Sequence, residues 1–376
     1  MISIDPPHLV AARQKRLALA AERLGIDEWL LTTSNAVRTA TGAWSDDVDL
    51  FGEWAWPTVA VGATVLSPGR PPNDPGLIDE VVDLLPAAGT LAVDRIGQPA
   101  IDRLGELRPA LELQDARLLL GAASAPREQV EIDILVEGHR RTEAILASMI
   151  GLVRPGVTER ELNAEFIARA AERQFDRLHV DTVFTALPKR REQAHWARGL
   201  WEAPSPYREL TTDRVLEAGD HVAFDAGMGY MGYTADVGWT LYAGDSGPSP
   251  AERALARRWD EVAQRVIEAA RPGVNAWQVR QAALAGWDPA SPPPWPYPLY
   301  VAHGVGIELA EPPFVGAGFA PEAEAAMVLA EGNVLMVEPY IYEEEVGGYR
   351  AEYCIVVGAG STEIVSSLPY GEWPAY

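Results

Sequence analysis

The sequence has almost no cysteine: Cys354 stands alone among 376 residues. An internal disulfide is therefore impossible, and a reducing, cytoplasmic setting is expected. No apolar run approaches the length of a bilayer crossing. The opening stretch MISIDPPHLVAARQKR carries no apolar signal core, so no secretory leader is expected. Positive charge is also scarce, with 31 Lys and Arg against 54 Asp and Glu and a net charge of -23. Nucleic acids and anionic membranes both require clustered positive charge, so neither is expected as a partner.

What is present is a chain that is 48% hydrophobic and 23% charged, in the range of globular proteins and long enough for two cores. The first third alternates helical and strand patterns: an Ala/Leu-rich stretch near 9–24, then WLLTT at 29–33, TVAVGATVL at 58–66 and TLAVD at 90–94. This predicts a small α/β domain. The segment GAASAPRE, 121–128, is small and proline-broken, which places the boundary there and predicts domains 1–122 and 123–376. Beyond it, Ile134, Leu135, Ile145, Leu146 and Met149 mark one helical apolar stripe; Leu255, Trp259, Val262 and Val266 mark another.

An internal echo links the halves of the second domain. RPGV occurs at 154–157 and again at 271–274, each time after an amphipathic helix and before a capping pattern, Thr158 with Glu161 and Asn275 with Gln278. Leu162 and Val279 then fall in register. This predicts a duplicated helix-helix-strand unit, two similar halves with a pocket between them.

The stretch HVAFDAGMGYMGYTADVGWTLY, 221–242, reads as a hairpin. With Tyr230 and Met231 at the tip and Gly229 against Gly232, Asp225 falls directly opposite Asp236. Two aspartates so held repel each other, and something cationic is expected between them. Downstream, VLMVEPYIY (334–342) and GYRAEYCIVV (348–357) read as buried strands, each carrying one acid, Glu338 and Glu352. A buried charge is rarely left unpaired. With His303 these residues supply four carboxylates and one imidazole. Such a set suits hard or intermediate divalent cations, manganese first, with cobalt, iron or zinc possible. Two divalent ions would balance four acids, and a water bridging them would lose a proton near neutral pH and become a nucleophile.

In these residues the chain resembles the pita-bread metalloenzymes: prolidase, aminopeptidase P, methionine aminopeptidase and creatinase. The resemblance implies an α+β protein, a C-terminal pita-bread (creatinase/aminopeptidase) fold of two pseudo-symmetric halves preceded by a smaller α/β creatinase-type domain. It implies metal ligation by Asp225, by Asp236 eleven residues later, by His303 in an HG-x-G setting, by Glu338 in an EP-x-x-Y setting and by Glu352 after Arg350. It further implies a dinuclear hydrolase acting on a small peptide or peptide-like amide, with Glu338 as proton shuttle and Arg350 orienting the last ligand or neutralising the acids. A homodimer is expected, since dimers are common among similar proteins.

The pattern fails at two positions. The family's peptidases carry a second histidine seven residues after the metal-binding one, and a further histidine seventeen residues before the first aspartate; here these positions are Ala310 and Arg208. Those histidines help hold the substrate carbonyl, which alanine does not do. The segment between TVFTALP (182–188) and Arg208 is longer than the family pattern and brings His195, Trp196, Trp201, Arg190 and Arg191 close in sequence to the missing position. His195 or Arg208 is therefore a candidate catalytic replacement. The alternative is different chemistry on the same fold, a non-peptide C–N hydrolase or a lyase. A non-catalytic binding protein is the weakest reading, because such drift erodes metal ligands too and all five are present. WDPASPPPWPYPLY, 287–300, offers a stiff aromatic rim beside His303. Trp44, Trp54 and Trp56 fall in a loop of the first domain that, in similar enzymes, reaches a neighbouring subunit's site.

Overall fold

The computed structural model describes residues 7–43, 58–124, 126–173, 175–178, 183–187, 189–190, 212–287, 300–316 and 318–374. His195, Arg208, Trp44, Trp54, Trp56 and most of the proline-rich stretch lie outside the described residues. The chain divides into two compact units, Met1–Glu128 and Gln129–Tyr376.

The first unit is built on a five-stranded sheet of β1 (Glu28–Leu31), β2 (Val59–Val61), β3 (Thr64–Leu66), β4 (Ala88–Val93) and β5 (Ala110–Asp115), in the order β3-β2-β1-β4-β5. The parallel members are β1, β4 and β5. Its helices are α1 (Pro7–Leu24), α2 (Ser34–Thr41), α3 (Gly76–Val81), α4 (Gln98–Leu107) and α5 (Ala116–Ala122). Leu31, Ala60 and Ala92 pack against Leu17, Val37 and Leu119, while Leu30, Val59 and Leu91 pack against Leu77, Ile78 and Leu104. Alternate strand residues thus feed two opposite apolar layers, as a sheet covered on both faces requires. The run TVAVGATVL is a hairpin instead of one strand: Gly62, at φ 56°, takes a left-handed turn and folds β3 back on β2.

The second unit begins with α6 (Gln129–Met149) and α7 (Glu159–Glu172), followed by β6 (Arg177–Leu178), β7 (Val183–Leu187), β8 (Asp220–Tyr230) and β9 (Tyr233–Ala243). Then come α8 (Pro250–Ala269), α9 (Ala276–Ala283), β10 (Ala302–Gly304), β11 (Glu311–Val315), α10 (Pro321–Ala326), β12 (Val334–Val337), β13 (Tyr340–Glu343), β14 (Gly347–Arg350), β15 (Tyr353–Val357) and β16 (Thr362–Ile364). The long β8–β9 hairpin also pairs with β6 and β7; a second sheet runs β11-β10-β12-β15-β16, and β13 and β14 form a ribbon. Leu146, Met149, Phe224, Trp239, Leu255, Trp259, Val262 and Val266 belong to one buried core, so both helical stripes face inward as their spacing predicts.

The duplication is visible in the backbone. Gly156 and Gly273 both adopt positive φ, 91° and 85°, where a side chain would be disfavoured. The Gly156 N–H donates to the Leu216 carbonyl at 2.9 Å and the Gly273 N–H to the Leu329 carbonyl at 2.8 Å. The return bonds, Leu216 N–H to Val157 and Leu329 N–H to Val274, are both 2.8 Å. Both helices then start with a complete capping box, Thr158 with Glu161 and Asn275 with Gln278. Leu162 and Val279 are each 1% exposed. The partners, Arg214-Val215-Leu216 and Met327-Val328-Leu329, share their Val-Leu pair, so the echo extends past RPGV into the segment that each copy bonds.

One buried acid ties α6 to the chain's end. Glu143 is 1% exposed and accepts from the Ser367 N–H at 2.9 Å and the Ser367 hydroxyl at 2.6 Å. Burial pushes its carboxyl up, but hydrogen bonds from His139 and Ser367 prevail and hold it at about 2. A folded-state value below the unfolded one stabilises above the unfolded value and is lost as pH falls. Glu143 therefore supports the fold fully above about pH 4.5, and this support disappears between there and about pH 2. Denaturant unfolding across that window should show a shallower loss of stability in Glu143→Gln than in the parent; equal slopes would refute the assignment.

Candidate metal centre

The β8–β9 hairpin turns on Met231 and Gly232, at φ 48° and 74°, so Tyr230 pairs with Tyr233. Two consecutive positive φ values are the signature of the tight turn that matches strand twist. This corrects the expected register by two residues: Asp225 lies opposite Gly238, and Asp236 opposite Gly227. A shift of two preserves the face, because side chains alternate with period two. Asp225 and Asp236 are thus diagonal neighbours on one side of the hairpin. On the other side Val222, Phe224, Ala226, Val237, Trp239 and Leu241 enter the core. The apolar residues flanking each aspartate are explained by this division of faces.

The glutamates sit where strands break. The expected strand 334–342 divides into β12 and β13, with Glu338 and Pro339 in the gap; 348–357 divides into β14 and β15, with Ala351 and Glu352 in the gap. Pro339 has no N–H to give to a ladder. Leaving the ladder lets each acid turn toward the hairpin while its neighbours stay paired. Trp259 fixes the first break by donating its indole N–H to the Pro339 carbonyl. At the second, Ala351 bridges to Trp239, and Arg350 exchanges backbone hydrogen bonds with the Thr240 hydroxyl at 2.8 and 2.9 Å.

Carboxylate oxygens of Asp225, Asp236 and Glu352 lie within 4.8 Å of one another. His303 Nε2 is 2.8 Å from Glu338 Oε1 and 3.5 Å from Asp236 Oδ2. The structure therefore brings together all five residues named from the sequence as metal ligands. Asp236, His303, Glu338 and Glu352 are buried. Arg350 contacts Glu338, Glu352 and, at 3.3 Å, Asp225. The cation expected beside the aspartates is partly this guanidinium, one positive charge shared among three of the four acids.

Three observations show that the residues fit divalent cations. Both oxygens of Glu352 and Asp236 Oδ1 are buried without accepting a hydrogen bond; the contact of Glu352 with Arg350 is an ion pair lacking hydrogen-bond alignment. Burial pushes the Glu352 carboxyl well above the usual carboxylate range; Arg350 pulls it down, Asp236 and Asp225 push it further, and His303 opposes them. Finally, His303 Nδ1 lies 2.9 Å from the Gly304 carbonyl oxygen, to which it donates, so Nε2 is the ring nitrogen that faces the two carboxylates. An imidazole nitrogen turned toward carboxylate oxygens is a donor set for intermediate divalent metals.

Two glycines that the sequence reading did not single out shape the centre. A Cβ on Gly238 would sit 2.6 Å from Arg350 Nη1 and closer still to Glu352 Oε1. One on Gly304 would come within 2.7 Å of the Glu311 and Pro312 carbonyl oxygens. Gly304 thus lets β11 close against the strand that carries His303. The only sequence signals are the glycine after the histidine and the one in DVGW. Ala310 directly precedes Glu311, which pairs with Gly304; its methyl group brings no donor there. Arg190 ion-pairs with Glu345 at 2.8 Å.

With this geometry in view, comparison with known proteins is decisive. Residues 133–359 match the model of metallopeptidase family M24. The chain belongs to that family. The M24 chain is 24% identical over 291 residues to Xaa-Pro dipeptidase of Pyrococcus furiosus, covering 74% of each protein. It is 28% identical over 305 residues to the probable dipeptidase PepE of Mycobacterium tuberculosis, covering 79% of this chain and 73% of that one. The fold of dipeptidase PepE from Mycobacterium ulcerans superposes with a TM-score of 0.75 at 22% identity, covering 97% and 98% of the two chains. The fold is thus the pita-bread fold with an N-terminal α/β domain, as the resemblance implies.

Gly238→Ala should weaken divalent-cation binding about tenfold or more by crowding Glu352, while far-UV circular dichroism stays unchanged. Titration calorimetry giving parental affinity would show that the glycine is incidental.

Proposed function

We propose that the protein is a metal-dependent hydrolase of small peptides or peptide-like amides, resembling Xaa-Pro dipeptidases. The observation that carries this reading is the convergence of Asp225, Asp236, Glu338, Glu352 and His303 Nε2 on one spot around the Arg350 guanidinium. These five residues would hold two divalent cations, manganese first, with cobalt, iron or zinc also suited to the donors. Bound there, such ions supply Lewis acidity toward an amide carbonyl and make water nucleophilic near neutral pH.

The chain's own groups do the rest. Glu338, whose Oε1 already sits 2.8 Å from His303, is the proton carrier from nucleophile to leaving amine. Arg350 holds Glu338, Glu352 and Asp225 in one cluster and offsets part of their charge. Ala310 leaves the substrate carbonyl without the histidine of related peptidases, and His195 or Arg208 is the candidate to supply a donor in its place. That same alanine favours the second reading, a non-peptide C–N hydrolase or lyase on this scaffold. A single cysteine suits a cytoplasmic setting, and a homodimer is the proposed assembly.

Xaa-Pro dipeptides and longer Xaa-Pro peptides, assayed with manganese, separate the two readings. Turnover is expected, and Glu338→Gln should lower kcat about a hundredfold or more. Complete inactivity of the manganese-loaded protein on every peptide would discard the peptidase reading in favour of the second.

A further inference from the structure

A second polar cluster lies directly behind the acids. His139, on α6, is 1% exposed, and its Nδ1 is 3.1 Å from the backbone carbonyl oxygen of Asp236. A carbonyl only accepts, so Nδ1 carries the proton and donates. On the far side of the ring, Nε2 lies 2.9 Å from the Ser366 hydroxyl oxygen, which itself accepts the Cys354 N–H at 2.8 Å. Glu143 Oε1 stands 3.4 Å from the same Nε2 and is anchored by Ser367. A chain of hydrogen bonds therefore runs from the Cys354 backbone through Ser366 and His139 to the Asp236 backbone. One end is the second aspartate of the hairpin; the other lies two residues past Glu352.

Local packing makes this reach possible. A Cβ on Gly138 would come within 3.2 Å of the Tyr230 Cβ and 3.3 Å of the Ala235 Cβ, tighter than ordinary contact. The glycine lets α6 close on the hairpin, and the next residue presents its imidazole to the Asp236 carbonyl.

We propose that His139 is a positioning residue for the metal centre: relayed by Ser366, it locks the backbone of Asp236 to the start of β15, so that Asp236 and Glu352 face one another at a fixed separation. This inference rests on the reading of those two acids as metal ligands. His139 touches neither substrate nor reacting atoms; it acts through the strands it joins. Partners that orient a ligand from behind commonly govern metal affinity.

The test uses the full chain stripped of metal by a chelator, manganese affinity measured by titration calorimetry, and the visible spectrum of the cobalt-loaded protein. His139→Leu should weaken manganese binding about tenfold or more and alter the cobalt bands, which report ligand geometry. His139→Asn, whose amide N–H can take the place of Nδ1, should recover most of the affinity and the parental spectrum. Ser366→Ala should fall between them, and it carries the test with His139→Asn should the leucine variant not fold. Parental affinity and spectrum in His139→Leu or Ser366→Ala would overturn this inference alone, as would an asparagine variant no better than the leucine one. Wild-type protein that takes up neither manganese nor cobalt would overturn the metal reading and this inference with it.

Discussion

Four carboxylates converging on a nearly dry spot around the Arg350 guanidinium is the constraint on which the rest of the second unit depends. Charge removed from water is costly unless compensated, and breaking a buried pair costs more than the pair contributes. Arg350 reaches three of the acids but leaves oxygens of Glu352 and Asp236 without a hydrogen bond. Such an arrangement persists where the surrounding fold holds the acids in place, and a divalent cation would balance their charge. The hydrophobic core supplies the first; membership of metallopeptidase family M24 accounts for the second.

The scaffold meets this demand by giving each half a different task. The first half contributes a regular hairpin, β8–β9, whose alternation sends Phe224 and Trp239 into the core and Asp225 and Asp236 away from it. The second half contributes irregularity. Its His303 precedes a shift of register between β10 and β11, and its two glutamates occupy breaks between strands. Regular strands present side chains at fixed intervals, which suits two acids on one face. His303 reaches that face from within β10, whereas bringing the two glutamates onto it requires leaving the ladder, and these departures are stabilised from outside it, by the Trp259 indole and the Thr240 hydroxyl.

Much of this was legible in the chain before any coordinates, and the reasons differ from residue to residue. The capping boxes at Thr158 and Asn275 and the helical stripes ending in Met149 and Val266 are local, and local hydrogen bonding and periodicity are what a linear sequence encodes. The four acids stood out because acids amid apolar neighbours demand a partner, and His303 joined them through the HG-x-G resemblance. The hairpin register was misplaced by two residues because the left-handed conformation of Met231, unusual for a residue with a side chain, decides the turn. The breaks at Glu338 and Glu352 were hidden because buried strands and buried strand interruptions have the same apolar composition.

By itself, the sequence carried the RPGV duplication, the four acids amid apolar neighbours and the departure at Ala310, since each follows from residue type and spacing along one dimension. Only the tertiary structure decided that Gly238 opens room for Glu352, that His303 Nε2 faces carboxylates, and that His139 stands behind Asp236. Those are contacts between residues about a hundred positions apart for Asp236 and His139, or between a strand of one sheet and a break between two later strands for Gly238 and Glu352. Such contacts form when core packing brings strands and helices together, and no local pattern in the chain carries their record.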